Sequence, residues 1–131
     1  MASANDIVAD AQKQLAALQA IDAAINTKVA AIKDAEWNGP LSDGELNQIA
    51  TLRKQEQPIL AAIEELSYVT MGALDKSDEV TRIANAFTGI IKGLTAQADG
   101  IAAIDSSAKN IGSICTALGK LVPQIQGLST G

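Results

Sequence analysis

The chain has 131 residues with 15 acidic and 10 basic side chains and no histidine, giving a net charge of −5. That balance argues against the basic face nucleic acid requires, and the lack of His removes the commonest general base and metal ligand together. Hydrophobic residues make up 47% but aromatics only 2%; Ala, the best helix former, dominates the apolar set and Ile recurs at helical spacing, so the class is all-α.

The first helix is expected over 4–36. Val8, Ala11, Leu15, Leu18, Ile25, Val29 and Ile32 fall on one stripe, interrupted only by Asp22. Ser3, Asn5 and Asp6 are its candidate caps. The turn Glu-Trp-Asn-Gly-Pro-Leu-Ser-Asp-Gly-Glu-Leu follows. Gly39 suits a left-handed helix end, and Pro40 then forbids continuation. Ser42 and Glu45 have the S-x-x-E spacing of a capping box, with Leu41 and Leu46 as the accompanying staple. These features predict an antiparallel hairpin.

The second helix is expected over 43–73, with an apolar arc wide enough for neighbours on two sides. Pro58 inside it deprives the Lys54 carbonyl of its partner. Asp75 or Ser77 then caps a third segment with a heptad repeat. Val80, Phe87, Leu94, Ile101, Ala108, Cys115 and Val122 make one row; Ile83, Ile90, Gln97, Ile104, Ile111, Leu118 and Ile125 make the other. The pattern predicts one long helix over 78–122, hence an up-down-up, coiled-coil-like bundle of three helices in a single domain, 1–131. A break at the Asp-Ser-Ser of residues 105–107 is the alternative, giving four helices.

Two polar residues intrude on the stripes. Asp22 and Gln97 each lie roughly 27 to 29 Å from the start of their helices at ~1.5 Å per residue. Returning down the second helix, that level is reached at Glu56 and Gln57. The four residues are therefore expected to form one polar layer that fixes register. Cys115, the only cysteine, allows no intrachain disulfide and no metal-ligand spacing. On a core row it reads as a small hydrophobe. No phosphate loop and no nucleophile motif is present, so neither an enzyme nor a cofactor is expected.

In a three-helix arrangement the third helix draws level with the first near Asn110. Residues 111–128 then overhang, carrying Ile111, Ile114, Leu118, Leu121, Val122, Ile125 and Leu128. Buried side chains of this size are worth ~1.5–3 kcal/mol each, so the overhang is expected to meet a second copy or another helical protein, with Gly112 and Gly119 at the closest approach. The competing account folds this stretch back through the break.

Trp37-Asn38-Gly39 in a helical-hairpin turn resembles the small WXG-motif proteins exported by specialised bacterial secretion systems. The resemblance covers residues 4 to about 73 and implies Trp37 and Gly39 as motif residues. The chain departs from that pattern at Tyr68, followed four residues later by Gly72 rather than an acid, and in having a third helix.

The N-terminus lacks a basic start and an apolar run, so no cleaved signal is expected. No charge-free 18-residue apolar stretch argues for a membrane span. A cytoplasmic location is the default, and export without a cleaved signal stays compatible with it. The function expected is a non-enzymatic binding or assembly protein presenting a long helix to a partner, a class that includes helical inhibitors and immunity-type proteins. A membrane-active protein using the low-charge stretch 110–131 is the alternative from a different class.

Overall fold

The computed structural model describes residues 4–71, 77–104 and 106–128. The chain is all-α, with four helices and, among the described residues, no strand: α1 (Ala4–Asp34), α2 (Asp43–Thr70), α3 (Ser77–Ala102) and α4 (Ile111–Leu128). Among the described residues two 3-10 segments, Ala35–Asn38 and Ser106–Asn110, lead into α2 and α4.

The first turn forms from local chemistry. The Gly39 N–H donates to the Glu36 carbonyl at 3.1 Å, and Gly39 then takes φ 137°, ψ 174°, an extended mirror conformation open in practice only to glycine. The capping box closes as expected: the Glu45 N–H donates to Ser42 Oγ at 3.1 Å and the Ser42 N–H to Glu45 Oε1 at 3.0 Å. Leu46, its expected staple partner, is 51% exposed. Of the other cap candidates, Ser3 and Asp75 lie outside the described residues, as does the end expected for the second helix, at residue 73.

The long third helix does not form. Its heptad rows continue through Ala108, Ile111 and Leu118 in phase, all buried, but the chain reverses between 103 and 110. Ile104 donates to the Ile101 carbonyl at 3.0 Å, a tightened last turn, and the 3-10 segment starts α4 back along α3. The break coincides with the four-helix alternative, although its first residue, Asp105, lies outside the described residues. Consequently α1, not α3, is the longest helix, with 31 residues against 26.

Sequential neighbours run antiparallel, and α4 closes the ring against α1. Phe87, Ile7, Leu18, Ile59, Leu66, Ile83, Leu94 and Leu118 are fully buried at its centre. Glycines on α3 set the α2–α3 spacing. A Cβ on Gly93 would lie 3.3 Å from the Pro58 Cβ, and one on Gly100 would run into the Gln55 amide. At the far end Arg82 clamps α2 to α3. Its Nη1 donates to both Glu65 oxygens at 2.8 and 3.0 Å, its Nε to Glu79 at 3.1 Å, and it stacks over Tyr68 at 5.0 Å.

Candidate functional site

The helices have unequal lengths, and the mismatch builds the site. Because Gly100 meets Gln55, α3 ends level with Gln55, and α4 begins opposite the middle of α1, where Asn110 and Ile114 face Ala17 and Ile21. Beyond that level only α1 and α2 continue. Residues 26–55 thus form a two-helix arm standing on a four-helix body, about 18 Å long from Gln55 to Asp43 at ~1.5 Å per residue. Within the arm Val29 is the one fully buried apolar side chain among the described residues, while Ile32, Ile49 and Leu52 are half-buried.

On the side where α3 and α4 would lie if they continued, an open depression of about 560 Å³ runs between Lys28, Ala31 and Ile32 of α1 and Asn47, Gln48 and Leu52 of α2. Trp37, at the tip, is 90% exposed. The arm is also polarised. Its tip carries Asp34, Glu36, Asp43 and Glu45 against Lys33; its base carries Lys28, Arg53 and Lys54 together with the acids Asp22 and Glu56, the latter paired with Arg53.

The base holds the polar layer. Arg53 Nη1 donates to Asn26 Oδ1 at 2.7 Å and to Glu56 Oε1 at 2.8 Å, and Asn26 Nδ2 donates to Asp22 Oδ2 at 3.2 Å. Asp22 Oδ1 is buried with no N–H donor. Beside it lies the Glu56 carboxylate, and a proton on Asp22 would give Glu56 a donor there. Burial, then the hydrogen bond and charge of Glu56, push Asp22 up to about 6. Burial also pushes Glu56 upward, but hydrogen bonds from Asp22, Arg53 and Asn26 and the Arg53 charge outweigh it and leave Glu56 below the usual carboxylate range. Backbone and side-chain bonds from Ser42 likewise lower Glu45.

The structure therefore brings Asp22 and Glu56 together and not the other two members expected of the layer. Gln57 is exposed, and Gln97 is half-buried on α3; at position 57 the helix has turned about 100° past Glu56, away from α1. Arg53 and Asn26 complete the cluster and were not expected. Their signal was present, since Arg53 lies three residues before Glu56 and Asn26 four after Asp22, both same-face spacings.

The expected interface on the closing stretch is overturned. Ile111, Ile114, Leu118, Leu121 and Ile125 are at most 4% exposed in the chain's own core, and Val122 packs partly buried against it. The fold-back covers them from within, and the surplus helix length that defined the overhang passes to the first hairpin. The Leu128 side chain lies outside the described residues. Gly112 and Gly119 have open space where a Cβ would stand, so neither marks a close approach. The same burial gives the apolar face of α4, from Ile111 to Ile125, to the chain's own core. By length and composition, α1 is the described helix long and apolar enough to cross a membrane, once two charges are tolerated; in the bundle its apolar stripe is core.

Cys115 is half-buried, with Thr95 Oγ1 at 3.8 Å from its sulfur. Among the described residues no three His, Cys, Asp or Glu side chains group as a metal site. No family model, no curated protein and no solved structure matches the chain.

Proposed function

We propose that this is a non-enzymatic helical-bundle protein for binding or assembly, which presents the α1–α2 arm to another helical protein. The observation that carries the reading is the uncovered groove of the arm, lined by Ile32 and Leu52 on the side that α3 and α4 leave empty. Helices packed in pairs ordinarily bury such a face against further helices, and the solvent-exposed Trp37 beside it is of the type enriched in binding hot spots. The expectation of a helix offered to a partner is retained, with the offering element moved from the closing stretch to the first hairpin.

A photo-cross-linking residue placed at Trp37, Leu52 or, as a control on the body, Lys92 tests this in cells of the native host. Adducts with protein at the two arm positions and none at Lys92 are expected. An arm that forms no adduct while the folded protein is abundant would sink the reading.

A further inference from the structure

The foot of the arm brings a weak point in the backbone and an unbalanced cluster of charge to one level. Pro58 sits inside α2 and has no N–H to offer the Lys54 carbonyl, so the helix lacks one bond across the turn 54–58. On the body side of that turn α2 is seated on α3, where a Cβ on Gly93 would stand 3.3 Å from the Pro58 Cβ. On the arm side residues 43–54 have only α1 to rest on, and among the described residues Val29 is the one fully buried apolar side chain there.

The contact between Asp22 and Glu56 crosses from α1 to α2 within that turn. Glu56 is 5% exposed, and Asp22 is half-buried, with its Oδ1 shut off from water and given no N–H donor. The charges acting on the pair are their own and that of Arg53; Asn26 adds hydrogen bonds and no charge. At this level α3 contributes the uncharged Gln97 and the exposed Asp99, and the lead-in to α4 contributes the exposed Lys109. Lys28 and Lys54, on the arm itself, are exposed as well. Two ionised carboxylates facing one guanidinium leave a negative charge over, whereas a single proton on the pair balances it. That proton decides whether the carboxyls hold α1 to α2 or push them apart.

We propose that Asp22 and Glu56 form a proton-operated latch: with one proton between them they hold residues 43–54 of α2 on α1, and without it they release that segment, which swings on Pro58. The folded pKa of Asp22 is raised to about 6, so the latch is held on the acid side and lost as pH rises through that value. Proteins ordinarily respond in this window through histidine. This chain has none, and ordinary carboxyls, near ~4, and lysines, above ~10, titrate outside it. An open form that returns Asp22 to its ordinary value lowers the closed-to-open ratio by up to about tenfold between pH 5 and pH 7. The latch changes the shape of the groove between α1 and α2, and it stands whether or not a protein docks there.

Spin labels on introduced cysteines read the movement. In a Cys115→Ser background, Gln48→Cys with Lys92→Cys spans from the arm half of α2 to α3, and Gln12→Cys with Lys92→Cys stays within the body. All three labelled positions are exposed. Double electron–electron resonance on the intact chain should give a narrow 48–92 distance at pH 5 and a broader distribution at pH 7, with 12–92 the same at both. Asp22→Asn keeps a donor beside Glu56 at every pH and should keep 48–92 narrow throughout. Asp99→Asn, an exposed acid outside the pair, should leave the response intact. A 48–92 distribution indifferent to pH overturns the latch. So does a broadening shared by 12–92, which is loosening of the whole bundle, or one that persists in Asp22→Asn. Should the Asn variant not fold, the two label pairs in the chain with Asp22 intact decide the question by themselves.

Discussion

The body and the arm are built from the same two helices, yet they hold together differently. In the body α1 and α2 are wrapped by α3 and α4, and side chains such as Leu18, Ile59 and Leu66 have no exposed surface. In the arm the same helices touch only each other, and residues with the same patterning (Ile32, Ile49 and Leu52) stay half-wet. An apolar stripe therefore does not measure burial. The number of neighbours at each level decides it, and that number changes from three to one across the Asp22–Glu56 layer.

The largest test of this contrast is truncation. Phe87→Ala in the body should cost about 3–5 kcal/mol in denaturant unfolding, whereas Leu52→Ala in the arm, already half-exposed, should cost about 1 kcal/mol. Equal losses would mean that the arm is as tightly packed as the body.

Titration of the boundary comes next. Asp22 has its folded pKa raised from 3.8 to about 6, so between those values the folded chain holds a proton that the unfolded chain has lost. Stability from this group must then fall as pH rises from about 4 to 6 and stay flat above. Glu56, depressed in the fold, acts oppositely and withdraws stability as the pH drops below its ordinary range. Asp22→Asn supplies a permanent donor toward Glu56. It should raise stability at neutral pH and abolish the slope between pH 4 and 6 in urea melts. A variant with an unchanged slope would show that the carboxylate pair is not its source.

Smaller effects belong to the turn that makes the arm a hairpin. Gly39→Ala forces a side chain into φ 137° and should cost about 1–3 kcal/mol. Ser42→Ala removes one half of the capping box, at about 1 kcal/mol. If arm and body unfold as separable units, both should accelerate amide exchange within 26–55 more than in α3. Uniform acceleration would erase the distinction between the regions.

Local chemistry was legible in the sequence where it was self-contained. Gly39, Ser42 and Glu45 specify their turn without help from the rest of the chain, and level counting paired Asp22 with Glu56. What periodicity could not convey was direction. A chain that reverses through a 3-10 segment without losing phase buries the same rows, Ala108, Ile111 and Leu118, as one that runs straight on. Assuming a straight helix placed the surplus length at the end of the chain. The reversal places it at the first hairpin, where no residue pattern distinguishes covered from uncovered surface. Gln57 shows the limit from the other side, since one residue's rotation separates a member of the polar layer from solvent.

The lone tryptophan at the arm tip has a practical bearing on spectroscopy. With Trp37 90% exposed, the native protein should emit near the wavelength of free indole and be quenched readily by iodide. Intrinsic fluorescence will then be nearly blind to melting of the body, which must be followed by circular dichroism instead. The same blindness makes the signal selective: a blue shift with protection from iodide, appearing as concentration rises while helicity stays constant, reports that the tip has been covered.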